Sequence, residues 1–182
     1  MTFTDLRSGL LSGSDVVTAA KTVGDLAAYW SNANKIVDPR QTLYTTQTYL
    51  SVEGEVEGVV LWGNTTLMPG RVGDEFFMTR GHRHLKTTHG ELCITVSGKG
   101  ALVFMDQSRK TWIEEMGPGS THWIDGKLAH RTVNTGDEPL IFFCAWPADC
   151  GHDYAEISEQ GFGARLLDVG GIPRLCQGNL AP

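Results

Sequence analysis

Cysteine is scarce in this chain, with four among 182 residues. Cys93, Cys144, Cys150 and Cys176 show neither CxxC spacing nor the density of a disulfide scaffold, so free thiols in a reducing compartment are the simplest reading. Long apolar runs are missing too. The N-terminal MTFTDLRSGLLSGSDVV lacks the basic start and apolar stretch of a signal peptide, and no segment approaches the ~20 apolar residues of a membrane span. Positive charge is in deficit: 15 Lys and Arg against 21 Asp and Glu leave a net charge of -6, the wrong sign for a surface that neutralises phosphate backbones. A soluble cytoplasmic protein without nucleic-acid or membrane partners is expected. Helical periodicity is nearly absent as well. It is credible only in TVGDLAAYWSNAN, where Val23, Leu26, Ala27 and Trp30 form an apolar stripe behind Thr22 as N-cap, which predicts a short N-terminal helix.

What is there points to β-structure. From about Thr42 onwards come short runs rich in β-branched and aromatic residues, among them TLYTTQTYLSV, GVVLWGNTTLM, ELCITV, ALVFM and LIFFCAW. They are cut by EGEVEG, MPGRVGDE, SGKG, GPGS and TGDEP, and 22 glycines fit so many turns. Short strands without intervening helices favour an antiparallel sandwich or barrel. After Trp146, DYAEISEQGF reads as a short helix, and GARLLDV with PRLC as an added edge strand. The length suits one domain, and no linker or repeat divides it.

The densest chemistry lies in GHRHLKTTHGE, residues 81–91, which holds three histidines and a carboxylate. In an extended strand, residues i and i+2 share a face about 6.6 Å apart, so His82 and His84 can aim at one point. Glu91 can join them only if the chain turns, and KTTHG supplies a turn just before the run ELCITV. In that run Glu91, Cys93 and Thr95 share one face, and Leu92, Ile94 and Val96 the other. His89, in the turn itself, is the rival third ligand, while His122 reads as structural. His130, which opens the later run after GPGSTHWIDGKLA, is suggested as a fourth. Three imidazoles and a carboxylate suit iron, manganese, nickel or zinc and leave coordination positions open for a substrate.

These residues resemble the cupin superfamily. Its first motif, HxH followed by a glutamate and a glycine, matches His82, His84, Glu91 and Gly98; its second matches Gly119, His130 and Asn134. The interval from His84 to Glu91 exceeds the common spacing, and Asp125 and Lys127 stand where proline and glycine are usual. A closer resemblance, from about Tyr44 to Val169, is to the archaeal-type cupin glucose-6-phosphate isomerases, carried by TTLMPGRVGDEFFMTRGHRH, SGKG, AHRTVNTGDEPLIFFCAWPADCGHDY and GFGARL. The resemblance implies a mainly β fold, a cupin-type antiparallel β-barrel (double-stranded β-helix, jelly roll), as a single domain over 1–182. Its N-terminal helical extension covers about 1–40 and its barrel core about 42–170.

The same resemblance implies a homodimer with one divalent metal per subunit, Fe²⁺ before Zn²⁺, Mn²⁺ or Ni²⁺. It also implies interconversion of glucose 6-phosphate and fructose 6-phosphate in glycolysis and gluconeogenesis. Carried over residue by residue, the metal ligands are His82, His84, Glu91 and His130, the phosphate contacts Tyr44, Thr65, Thr79 and Gly81, and the catalytic residues Glu91, His152 and Tyr154. Glu91 would carry a proton between C1 and C2, or else only bind metal while a hydride shifts. His152 and Tyr154 would assist ring opening or orient hydroxyls; packing alone is the other role open to Tyr154. Arg80 and Lys86 offer charge at the mouth of the site or are solvated surface charge. Trp146 and Cys93 stand where tyrosines are expected, and a Trp cannot accept a hydrogen bond or shuttle a proton as a phenol does. An iron dioxygenase or a non-catalytic sugar-phosphate-binding cupin are the rival functions.

Overall fold

The structure, a computed structural model, describes residues 1–177 except 51, 53 and 55. Its main strands are β1 (Val16–Thr22), β2 (Thr42–Tyr49), β3 (Val60–Leu67), β4 (Glu91–Ser97), β5 (Gly100–Met105), β6 (Thr111–Met116), β7 (Thr121–Ile124), β8 (Ala129–Asn134) and β9 (Leu140–Pro147). They are followed by a helix, α1 (Ala155–Gln160), and a terminal hairpin of β10 (Ala164–Val169) and β11 (Ile172–Gln177). A six-stranded antiparallel sheet in the order β7-β4-β9-β3-β2-β1 faces a three-stranded one in the order β6-β5-β8. The result is the expected mainly β, cupin-type fold. The tail forms the expected helix, but the segment read as one added edge strand folds as the hairpin of β10 and β11.

The period-2 alternation decides what lies inside. Along β9, Phe142, Cys144 and Trp146 line the interior cavity together with Cys93 of β4 and Thr65 of β3, so Ile141, Phe143 and Ala145 face outwards. Part of that outer face is covered by the first hairpin, in which Phe3–Thr4 pairs with Leu11–Ser12 and a Cβ on Gly9 would lie 2.8 Å from Ile141 and 3.3 Å from Val96. Leu92 and its cross-strand partner Trp123, which is 67% exposed, lie uncovered. Between the sheets, Leu67, Met105, Ala129 and Leu140 are fully buried. Asn134 ties strand ends together: its amide donates to the carbonyls of Leu67 and Glu138, each at 2.9 Å, and its oxygen accepts the Gly136 N–H.

The N-terminal extension differs from the helical reading. Residues 16–22 add an edge strand to β2, and their side chains are largely exposed, so no apolar alternation announced them. The segment Gly24–Tyr29 is a 3-10 helix with a kink at Leu26, rather than an α-helix. Thr22 and Asp25 do form the reciprocal cap, with the Asp25 N–H donating to Thr22 Oγ1 at 3.2 Å and the Thr22 N–H to Asp25 Oδ2 at 2.8 Å. The Val23 carbonyl then accepts from Leu26 N–H and from the buried Trp30 indole, at 3.3 and 3.2 Å, which takes it from the i+4 amide an α-helix would use. The loop read as EGEVEG falls partly outside the described residues. Among those described, no helix is long and apolar enough to cross a membrane.

A buried ion pair anchors this extension to the barrel. Glu75, 2% exposed, accepts from Arg165 Nη1 at 2.7 Å and from the Ser31 N–H and hydroxyl, both at 3.0 Å. Arg165 also donates to the Tyr29 carbonyl at 2.7 Å. Burial holds the nearby Arg131 guanidinium down at about 9 despite the opposing charge of Glu75. Glu75→Ala leaves two buried cations without their carboxylate and is expected to cost about 3–5 kcal/mol in a denaturant titration. Arg40→Ala, which removes an exposed pair with Asp38, is expected to leave the transition midpoint unchanged.

Candidate metal centre

The segment carrying His82 and His84 docks against β8. Met78 pairs with Val133, and His82 with His130 through reciprocal main-chain bonds of 3.1 and 2.9 Å. Gly81, at φ 78°, makes the entry turn; a Cβ there would lie 2.9 Å from the Phe162 ring, so glycine serves both the backbone and the packing. The alternation then brings His82 and His84 to one side, with ring centroids 5.6 Å apart, and His130 meets His82 at 4.4 Å. The chain reverses over residues 85–90 as KTTHG demanded, and Glu91 opens β4. Its Oε2 lies 3.4 Å from His84 Nε2 and 3.7 Å from His130 Nε2.

The donor atoms of His82, His84, Glu91 and His130 all lie within 4.8 Å of one another. Among the described residues, the Nε2 atoms of the three histidines are buried with no hydrogen-bond partner. Leaving a buried polar atom unmade costs roughly 1–3 kcal/mol, and one cation would satisfy all three. The tautomers agree. His84 Nδ1 lies 2.6 Å from the His89 carbonyl, which can only accept, so Nδ1 carries the proton and Nε2 presents a lone pair. His130 Nδ1 faces the Leu128 carbonyl at 3.4 Å in the same sense. The donor set therefore fits a first-row divalent ion.

Charge supports that fit. Burial, together with the neighbouring imidazoles of His130 and His152, holds His82 well below its ordinary range, so it is a neutral ligand. For Glu91 burial pushes upwards, but the His130 and His84 side chains outweigh it and keep the carboxylate ionised, well below the usual range. Burial pushes His84 down as well; Glu91 and the His89 carbonyl reverse this and raise it.

The centre opens on a cavity of about 190 Å³. Tyr44, Thr65, Thr79 and Gly81 line it together with Glu91, His130, His152 and Tyr154, so residues far apart in the chain meet in one place. Thr79 Oγ1 accepts the Thr132 N–H at 3.0 Å, which leaves its own proton to donate. Burial pushes the Tyr44 phenol up to about 12 and raises that of Tyr154, so both stay protonated donors. His152 is exposed, with its ring 4.4 Å from that of His82. The two candidate cations part ways. Arg80 lies on the cavity wall, 4.0 Å over the Tyr154 ring, with its Nε donating to the Tyr29 hydroxyl at 2.6 Å. Lys86 is instead bound to Asp149 at 2.6 Å.

His89, the rival ligand, stands outside the four-donor cluster, and its ring turns to Asp149 at 3.2 Å. His122 is structural as read: its ring lies 2.7 Å from Glu114 and 2.9 Å from Ser120. Cys144 was not foreseen. It is the cross-strand partner of Cys93, and that thiol, with burial and the Glu91 charge, pushes it well above the ordinary thiol range. Its signal was the alternation Phe142, Cys144, Trp146 in LIFFCAW.

Comparison with known proteins agrees with this geometry. The family described as "Glucose-6-phosphate isomerase (GPI)" matches residues 20–176. Proteins named "Glucose-6-phosphate isomerase" from Thermococcus kodakarensis and Pyrococcus horikoshii are each 36% identical over 171 residues, covering 92% of this chain and 88% of theirs. One of the same name from Sinorhizobium medicae is 31% identical over 172 residues, covering 91% and 79%. Among solved structures, oxalate oxidase in complex with glycolate has a TM-score of 0.46 at 12% identity, covering 82% of this chain and 60% of that one. A likeness at that score carries no weight for the chemistry.

Alanine at His82, His84, Glu91 or His130 is expected to weaken Mn²⁺ or Co²⁺ binding at least on the order of tenfold by calorimetric titration. His122→Gln is expected to leave it unchanged.

Proposed function

The chain belongs to the glucose-6-phosphate isomerase family, and from that premise we propose that it is a metal-dependent isomerase interconverting glucose 6-phosphate and fructose 6-phosphate, where glycolysis and gluconeogenesis share a step. One observation carries the reading: three members of the four-donor cluster, His82, Glu91 and His130, line the same cavity as the phosphate-type hydroxyls. Bound there, a divalent ion supplies Lewis-acid stabilisation of the negative charge that develops on O1 and O2 of the sugar. The N₃O donor set suits Fe²⁺, Mn²⁺, Ni²⁺ or Zn²⁺, and resemblance to the isomerase family puts Fe²⁺ first among them.

The phosphate is received by the Thr65 and Thr79 hydroxyls, the backbone around Gly81 and the Tyr44 phenol, with Arg80 adding a formal charge. This anchors C6 and leaves the C1–C2 end towards Glu91. Glu91 carries the proton between C2 and C1. As a strongly ionised carboxylate beside the His130 and His84 imidazoles it is a weak base, and it would serve as the base only where it held a bound ion weakly. His152 and Tyr154, which line the cavity, move the proton between the ring oxygen and the anomeric oxygen, O1 of the aldose or O2 of the ketose, as the sugar opens.

A homodimer is part of the proposal. The outer face of the six-stranded sheet presents Leu92, 37% exposed, and Trp123 beside the half-buried Ile94 and Phe143, an apolar surface suited to a second copy. A cytoplasmic setting goes with four cysteines that lack the spacing and density of a disulfide scaffold.

Metal-loaded protein is expected to form glucose 6-phosphate from fructose 6-phosphate without oxygen uptake, and to lose that activity to a chelator. Oxygen consumption would point to a dioxygenase, and binding without turnover to a sugar-phosphate-binding module. In D₂O, deuterium is expected at C2 of the aldose; full retention of the transferred hydrogen would reduce Glu91 to a ligand. Thr79→Val is expected to raise KM for fructose 6-phosphate about tenfold or more, with a smaller effect on kcat, because a hydrogen bond to a charged group contributes ~1.5–3 kcal/mol.

A further inference from the structure

The carbonyl that orients His84 belongs to His89, in the irregular turn between two metal-ligand segments. Around it, three separate restraints converge. The His89 ring is gripped at both nitrogens, Nδ1 by the Thr88 hydroxyl at 3.0 Å and Nε2 by Asp149 Oδ2 at 3.2 Å. A carboxylate only accepts, so Nε2 carries the proton and Nδ1 takes the hydroxyl hydrogen. Lys86, three residues earlier, donates its ammonium to the same Asp149 oxygen at 2.6 Å and its backbone N–H to the Cys150 carbonyl at 2.9 Å. The His89 N–H returns to the Lys86 carbonyl at 3.0 Å, closing the turn. From beneath, Gly126 packs so closely against the His89 carbonyl that a Cβ would collide with it.

Asp149 is the common point of the first two restraints. It is 3% exposed, and a buried carboxylate is tolerated only where donors compensate it. The Lys86 ammonium holds its carboxyl below the usual range, so it is a fixed anion to which the turn is bound at two places. We propose that Asp149 is a positioning residue for the metal centre: through Lys86 and His89 it clamps the 85–90 turn, so that the His89 carbonyl holds His84 with Nε2 towards the ion. The inference rests on the metal-dependent reading above and assigns Asp149 no contact with substrate or ion.

Charge alone and the clamp make opposite predictions for Lys86. Removing a cation near the centre would strengthen binding of a divalent ion by simple electrostatics, whereas loosening the turn weakens it. The test is calorimetric titration of the full chain with Co²⁺, with the visible spectrum of the Co²⁺ protein as a report on ligand geometry and the melting temperature of the metal-free protein as a control. Asp149→Asn is expected to bind Co²⁺ about 10–100-fold more weakly with a shifted spectrum, the range for groups that orient metal ligands. Its metal-free melting temperature should move by less than about 4 °C. Lys86→Met is expected to bind more weakly as well. Should Asp149→Asn not melt cooperatively, His89→Gln carries the same expectation with the backbone carbonyl retained. Wild-type affinity and spectrum in Asp149→Asn, or in His89→Gln where that variant stands in, would overturn the proposal. So would tighter binding by Lys86→Met, or a loss of affinity matched by a larger fall in metal-free stability. If the wild-type protein takes up no Co²⁺, the metal-dependent reading fails, and this inference with it.

Discussion

Three imidazole Nε2 atoms and one carboxylate, buried within reach of each other and with no hydrogen-bond partner for any of the three nitrogens, are the condition around which this barrel is arranged. Such a group is unfavourable unless a cation completes it. Everything that holds it therefore lies on its far side. His82 and His130 are locked by exchanged main-chain bonds, His84 by a carbonyl, and Glu91 by its place at the head of β4. His82, His84 and His130 are held through main-chain groups and Glu91 by its strand, which leaves their side-chain donor atoms free to converge.

The same division of labour governs the cavity. Inward positions of β3, β4 and β9 carry Thr65, Cys93, Cys144 and Trp146, polar or soft groups that a conventional core would not contain. On β4 and β9 the neighbours of those positions, Leu92, Ile94, Phe143 and Ala145, face outwards, so these two strands show an apolar side that calls for a covering. The first hairpin covers part of it. The N-terminal extension also reaches the working side. Glu75 fixes Arg165, Arg165 fixes the Tyr29 carbonyl, and the Tyr29 hydroxyl holds Arg80 over Tyr154. A buried ion pair thus reaches, through four side chains, to the wall that would meet a phosphate.

Much of this was legible before any coordinates. Alternation in GHRH and ELCITV, with KTTHG between, required a pair of histidines, a reversal and a returning glutamate, and all three are there. Less legible was whatever depended on a competitor for the same atom. The stripe Val23, Leu26, Ala27 and Trp30 has helical spacing, yet the Trp30 indole takes the Val23 carbonyl and the segment tightens to 3-10 geometry. Edge strand β1 carried no apolar alternation because most of its side chains face water, and only pairing with β2 defines it. Lys86 and Arg80 looked alike as charges at the mouth, and their neighbours alone separated them.

By itself, then, the sequence determined the class of fold and the short list of candidate donors, His89 still among them, because side-chain periodicity and ligand chemistry are local properties that spacing records. Tertiary structure decided which histidine stays out of the cluster, which tautomer His84 adopts, and that Asp149, some sixty residues along the chain from His89, belongs to the same assembly. Those are outcomes of competition between groups distant in the chain for a shared hydrogen or a shared space, and no local pattern encodes who wins.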